Sequence, residues 1–279
     1  MMQQKKKEKF FRFYLPLFLF LLFLLFPFYW MFATTFKSDV ELYNLKLNPF
    51  LIHTWSLANL KHLFFETRFL RWLYNTFFVA ITSTIISLSA SLLAAYGIQR
   101  IRFKGSDFMG IGIFFCYLVP PTILFIPLAT MIFKLHLWDS LWALSLIYPT
   151  FLIPFCTWLL MGYFNSIPKE LEECAMMDGA SRMWIFWRVI IPLSLPGILS
   201  AGIFAFTLSW NEYLYALTFI STSVKKTVSV GLVTELVRGD VYHWGPLMAG
   251  ALFGSVPVAL VYSFFVEYYV AGITGALKE

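Results

Sequence analysis

The chain has 279 residues, of which 59% are hydrophobic, 20% aromatic and 13% charged, and its mean hydropathy is +0.73. Those proportions exclude an ordinary soluble globular domain and suit a chain that sits in lipid. The formal charge of +6 does not point to nucleic acid, because Lys5, Lys6, Lys7 and Lys9 directly precede an apolar run, where anionic headgroups and topology explain them.

Charge-free intervals mark the elements in chain order. They cover residues 13–36, 72–99, 108–133, 140–168, 189–211 (continuing past Glu212 to Val224) and 241–266. Each exceeds the roughly 18–20 apolar residues that cross a bilayer as helix. Helix is favoured because lipid leaves backbone polar groups no other partner, and barrel strands would alternate polar and apolar residues. The sequence therefore predicts an all-α polytopic membrane protein with six transmembrane helices. The first run is too long for a signal-peptide core, lacks a cleavage site and is followed by further spans, so it reads as an uncleaved helix. Its Pro27 falls near the far end, where a kink or an exit is cheap. Pro120, Pro121, Pro127, Pro149 and Pro154 predict kinks in the third and fourth helices.

The organisation expected is a basic segment at 1–12, a first helix at 13–36, a five-helix core at 72–270 containing a polar loop at 168–192, and a tail at 271–279. The basic clusters at span ends, Lys5–Lys9 and Arg100–Lys104, place both termini in the cytoplasm by the positive-inside rule. The 168–192 loop is then cytoplasmic, and the 37–71 and 221–244 loops face outward.

The 168–192 loop has the signals of two short helices around a turn. Glu170, Glu172 and Glu173 put acids in a first turn, where the helix dipole favours them. Leu171 and Ala175 share a face, and Met176 and Met177 extend an adaptable surface. Gly179 supplies a left-handed stop, and Ser181 caps a second piece. That piece puts Met183, Phe186, Trp187 and Ile190 on one face before Pro192 halts it. On these features alone, an amphipathic helix resting on the membrane surface and a docking element are both open.

The spacing is more specific. Glu173-Cys174-Ala175, then Gly179, then Val189-Ile190-Ile191-Pro192 resembles the EAA motif of ABC importer permeases, with Cys174, Val189 and Ile191 as mild departures. The preceding Ile167-Pro168-Lys169-Glu170-Leu171-Glu172 and the Asp178-Gly179-Ala180 step are similar to that family too. Pro27-Phe28, Thr35-Phe36-Lys37, Tyr74-Asn75-Thr76, Trp210-Asn211-Glu212 and the terminal Gly272-Ile273-Thr274-Gly275-Ala276 resemble the maltose-type carbohydrate permeases. They match the shorter, second subunit of a heterodimer.

The resemblance implies that Glu173, Cys174, Ala175, Met177, Asp178, Gly179, Ala180 and Pro192 dock into and couple to a partner ATPase. It also implies a second permease subunit, two ATP-binding subunits, an extracytoplasmic solute-binding protein and a carbohydrate substrate. The tail 271–279 would reach toward the ATPases. The 221–244 loop, with Lys225, Lys226, Glu235, Arg238 and Asp240, would meet the binding protein or serve as a plain connector. No cofactor is expected in this chain. It has no phosphate-binding loop of the G-x4-G-K-[ST] type, so ATP and Mg would be bound by the partner.

Polar residues inside the spans admit two readings each. Asn75, Asn211 and Glu212 either line a substrate path or brace the bundle, since an intramembrane acid normally faces an interior or a wet cavity. The Thr and Ser residues of the second helix (Thr76, Thr82, Ser83, Thr84, Ser87, Ser89, Ser91) serve close helix packing or a sugar path. Cys116, Cys156 and Cys174 have no metal or disulfide spacing and read as reduced core thiols. An intramembrane enzyme lacks any paired catalytic pattern here, and a passive channel would need no docking helix. An importer of glycerol phosphate or a polyol remains an alternative to a sugar importer.

Overall fold

The computed structural model describes residues 10–239 and 241–275. Apart from the short helical turns Asp39–Leu42, Ala58–Lys61 and Ile191–Leu193, the α-helices in chain order are α1 (Leu15–Phe36), α2 (Phe69–Tyr96), α3 (Ser106–Leu118), α4 (Phe125–Lys134), α5 (Leu141–Ile147) and α6 (Pro149–Ser166). They continue as α7 (Glu170–Met177), α8 (Arg182–Ile185), α9 (Leu195–Asn211), α10 (Leu214–Phe219), α11 (Val228–Leu236) and α12 (Trp244–Gly275). Among the described residues the sheet content is one antiparallel pair, β1 (Val237–Arg238) with β2 (Val241–Tyr242). The protein is an all-α polytopic membrane protein.

Four continuous helical runs are long and apolar enough to cross a bilayer: Phe11–Phe36, Phe69–Ile101, Leu141–Ser166 and Trp244–Glu267. Two more qualify as bent pairs, Ser106–Leu118 with Pro121–Lys134 at 89°, and Arg182–Leu193 with Leu195–Asn211 at 77°. Counting each bent pair as one span gives six. The first bend has a local cause. Val119 precedes a proline and is driven to an extended conformation, and Pro120 follows it there, so the α-ladder stops. The second falls at Ser194, between Pro192 and Pro196, where two missing N–H groups interrupt the hydrogen-bond ladder. Pro27, by contrast, ends nothing: α1 runs through it to Phe36.

Two compact units are present. The smaller comprises residues up to Leu70 together with Gly231–Val256. Its 37–59 segment is held by polar contacts. Lys37 pairs with Trp55 in an antiparallel bridge, and buried Asn59 donates to the carbonyls of Thr35 (3.1 Å) and Lys37 (2.8 Å). Glu41 is buried and accepts from the backbone N–H groups of His53 (2.9 Å) and Thr54 (3.0 Å) and from the Thr54 hydroxyl (2.9 Å).

The larger unit, Arg71–Val230 with the chain from Pro257 on, carries the main core. Leu144, Tyr148, Leu152, Cys156, Leu160 and Phe164 recur every four residues along α5 and α6, and all are fully buried. Ala201 and Ala205 of α9 and Tyr215 and Phe219 of α10 join that core. In lipid such a stripe is held by close van der Waals packing rather than by exclusion of water. Small residues make the approach close enough. A Cβ at Gly197 would lie 2.4 Å from the Tyr163 ring, so α9 can pack on α6 at this spacing only with glycine there.

Polar residues of α2 knit the bundle. Ser83, Ser87 and Ser91 are buried. Ser83 Oγ meets Ser209 Oγ at 2.9 Å, Thr82 Oγ1 meets Ser145 Oγ at 2.7 Å, and Ser91 Oγ donates to the Ile153 carbonyl at 3.2 Å. These hydroxyls serve packing. The cysteines divide: Cys156 is a core thiol, whereas Cys116 and Cys174 are exposed. The expectation of three core thiols therefore fails for two of them. An apolar span does not bury both its faces, and Cys174 lies on the open side of α7.

Candidate functional site

The 168–192 loop folds as two short helices around a tight turn. Ala180 N–H donates to the Ala175 carbonyl and Gly179 N–H to the Met176 carbonyl, each at 3.0 Å. This is the paired C-terminal closure that needs a left-handed residue. Gly179 supplies it at φ +84°. Ser181 then caps α8, its Oγ accepting from Trp184 N–H at 3.3 Å.

The turn sorts side chains onto two faces. Ala175 and Ala180 pack inward against the core, with Val189 and Ile191 further along. Glu173, Cys174, Met177 and Asp178 face solvent, and Met177 is 88% exposed. Met183, Trp184 and Trp187 are also exposed, whereas Phe186 and Ile190 are buried. The single face expected of Met183, Phe186, Trp187 and Ile190 is thus split. The face that packs runs instead through Ile185, Phe186, Val189 and Ile190, at i, i+1, i+4 and i+5, which leaves Met183 and Trp187 on its outer side. Pro192 does not halt the segment. It sits in the first turn of a further helical piece, Ile191–Leu193, and the break comes at Ser194. Ala175, Asp178, Gly179, Ala180, Ser181 and Trp184 line a shallow open groove on this surface.

Behind the exposed face, the end of α2 grips the loop. A π-turn, Gly97–Ile101, extends α2. From it Arg100 Nε reaches Glu172 Oε1 at 2.9 Å, an ion pair whose side chains are only 2% and 9% exposed. The same guanidinium donates to the Ile167 carbonyl at 2.7 Å. Tyr96 Oη donates to the Arg182 carbonyl at 3.2 Å, and Gln99 donates to Asn165 Oδ1 at 2.7 Å. In the sequence alone Arg100 is a topology-setting cation and Glu172 a first-turn acid within the family-like 167–172 segment, and no local signal pairs them.

A second cluster gathers at the Trp72 end of α2. Asn75 is buried, and its amide donates to the carbonyls of Val224 (2.8 Å) and Lys226 (2.9 Å). Trp72 Nε1 donates to the Ser223 carbonyl at 2.8 Å, and Thr76 Oγ1 accepts from Val228 N–H at 2.8 Å. Asp139 holds the other side of this loop. Its carboxylate accepts from the backbone N–H groups of Ser221 and Thr222, both at 2.9 Å, and pairs with Lys225 Nζ at 2.9 Å. Burial would raise the Asp139 pKa, but the Thr222 and Ser221 donors and the Lys225 ammonium hold it well below the usual carboxylate range. Lys225 is therefore engaged within its own chain. Glu235 lies in α11, Arg238 contributes backbone to β1, and the Arg238 side chain and Asp240 lie outside the described residues. So do residues 1–9 and 276–279, which include the basic cluster and the end of the tail.

Glu212 stands just past α9 and caps α10. Its carboxylate accepts from Tyr215 N–H (2.9 Å), Ala216 N–H (3.0 Å) and Tyr148 Oη (2.8 Å), and its carbonyl accepts from Ser229 Oγ. Asn211 is exposed and bonds back to the Thr207 carbonyl at 3.0 Å. Asn75, Asn211 and Glu212 are thus not gathered into one cluster: Asn75 ties the 224–226 loop, and Glu212 braces α10.

Residues 87–275 match the family described as binding-protein-dependent transport system inner membrane component. The chain belongs to that family. The permease is 36% identical over 256 residues to the sulfoquinovosyl glycerol transport system permease protein SmoH of Agrobacterium fabrum, covering 91% of this chain and 89% of that one. It is 33% identical over 258 residues to the trehalose/maltose transport system permease protein MalG of Thermococcus litoralis, covering 91% of each. The crystal structure of a bacterial ABC transporter involved in the import of alginate shares the fold, with a TM-score of 0.81, 22% identity, and coverage of 91% of the permease and 94% of that chain.

Proposed function

We propose that the permease is one of two membrane subunits of an ATP-driven, binding-protein-dependent importer for a carbohydrate. Membership of the transport family and the transport of a glycosyl compound and of disaccharides named for its relatives support this reading. The observation that carries it is the α7–α8 turn. A membrane subunit that holds Met177 and Trp184 open to solvent on a rigid, capped hairpin is shaped for a protein partner. That partner is an ATPase subunit, met by Glu173, Cys174, Met177 and Asp178, while Ala175, Gly179 and Ala180 set the shape of the turn and Pro192 opens the helical piece that leads on to α9. ATP and Mg bind the ATPase. Both termini and the hairpin lie in the cytoplasm of a cell whose inner membrane holds the complex.

On this orientation the 221–244 loop faces outward. There Lys225, Lys226, Glu235 and Arg238 stand on the side that receives solute from the binding protein. Asn75, Asn211 and Glu212 then lie toward the outer part of the bundle, shaping the path by bracing it.

The test is co-purification from native membranes followed by transport. An ATPase, a second permease and a solute-binding protein should accompany the chain, and vesicles holding the complex should take up sugars rather than glycerol phosphate. Gly179→Asp puts a side chain and a charge at a φ +84° position. It should insert normally yet abolish ATP-driven uptake, and wild-type uptake in this variant would overturn the coupling role of the turn.

A further inference from the structure

The α7–α8 hairpin has two faces, and only the exposed one concerns a partner. The buried face is tied to the end of α2 by a pair of opposite charges. Arg100 and Glu172 lie 2.9 Å apart, with side chains 2% and 9% exposed. The two meet as charges rather than as a hydrogen bond: neither Arg100 Nε nor Glu172 Oε1 has a hydrogen-bond partner among the described residues, so each is the other's counter-ion. Removing an ion pair of this kind in favour of apolar groups is often neutral for stability, so such pairs are better explained by the geometry they fix than by the energy they add.

That geometry is specific. Tyr96, Gln99 and Arg100 all issue from the last turn of α2 and its π-turn, and each takes a different target. Tyr96 holds the Arg182 carbonyl on α8, with its ring 4.8 Å from that of Phe186. Gln99 holds Asn165 in the last turn of α6. Arg100 holds Glu172 on α7 and the Ile167 carbonyl in the connection that leads into α7. The guanidinium is planar and presents its donors at fixed angles, so contacts to two targets set direction as well as distance. The hairpin already continues covalently into α6 on one side and toward α9 on the other. The charge pair adds α2.

We propose that the Arg100–Glu172 pair is the strut that delivers displacement of the hairpin to α2, which makes both residues positioning residues for coupled transport. Packed side chains, ion pairs and rigid helices are the elements through which such displacement travels. The proposal rests on the reading of the hairpin as the ATPase docking element.

Its test uses the complete transporter in vesicles, measuring solute taken up per ATP hydrolysed. Glu172→Gln removes one charge at a buried site behind the docking face. The ATPase should still co-purify, and uptake per ATP should fall about fivefold or more, the lower range of measured coupling between sites. Arg100→Lys keeps the charge but not the planar fork that reaches two targets, so its ratio should fall less than that of Glu172→Gln. Where Glu172→Gln fails to accumulate, the Arg100→Met/Glu172→Met pair leaves no charge buried and inserts, and its ratio should be low as well. A purely structural pair would lower yield or melting temperature in the single variants and leave the ratio alone. A wild-type ratio in an assembled Glu172→Gln or double-Met transporter overturns the strut while the docking reading stands. If no ATPase accompanies even the unaltered chain, both fall together.

Discussion

Glu41 shows how much a single side chain organises in the 37–57 loop. Burial alone would raise its pKa, but donors from His53 and Thr54 outweigh that and lower it from 4.5 to about 2. A depressed carboxylate pKa stabilises the fold fully above the unfolded value, and that stabilisation is lost as pH falls toward the folded one. The loop should therefore hold at neutral pH and loosen between about 4.5 and about 2. Hydrogen exchange at the His53 and Thr54 amides along an acid titration reads this directly. Protection that persists unchanged through the window would show that the carboxylate is not the anchor. Glu41→Gln should expose the same amides at neutral pH, because the neutral amide accepts these bonds more weakly.

Gly197 sets the spacing of two helices. Its missing side chain leaves room for the Tyr163 ring, which a Cβ would approach to 2.4 Å. Gly197→Val should separate α9 from α6 and cost about 1–3 kcal/mol, the usual penalty of overpacking. The melting temperature of the solubilised protein is the readout, and Tyr163→Ala in the same chain should return part of the loss. At this scale the sequence was informative where physics is local. Charge-free runs marked the helices, and Gly179 and Ser181 marked the turn, because φ > 0 and capping depend on one residue and its neighbours. It was ambiguous where an apolar stripe is wider than the face that packs. Ile185, Phe186 and Ile190 turn to the core with Val189 while Met183, Trp184 and Trp187 stay exposed, and apolarity alone does not tell the two sets apart. Proline pairs foretold a bend in the third span but not its 89°. The Arg100–Glu172 pair joins segments far apart in sequence, so no periodicity links them.

For the molecule as a whole, the hairpin presents its apolar side chains where a membrane protein has no need of them for its own core. Trp184 and Met177 are half-exposed and almost fully exposed. Truncating an aromatic anchor at the centre of an interface typically costs about 2 kcal/mol or more. Trp184→Ala and Met177→Lys should each weaken retention of the ATPase at least about tenfold, measured as the salt- or detergent-resistant fraction that stays bound. Retention equal to the unaltered chain would move the docking surface elsewhere.

The clamp on the 221–228 loop bears on how the protein is made. Its holders, Trp72, Asn75, Thr76 and Asp139, are synthesised well before the segment they hold. Until residues 221–228 emerge and α9 and α10 are in place, the Asp139 carboxylate lacks the donors that the finished fold supplies. The clamp closes only on a nearly complete bundle. Protection of the Ser221 and Thr222 amides then marks the end of assembly, and chains stalled before this point leave those amides open to exchange.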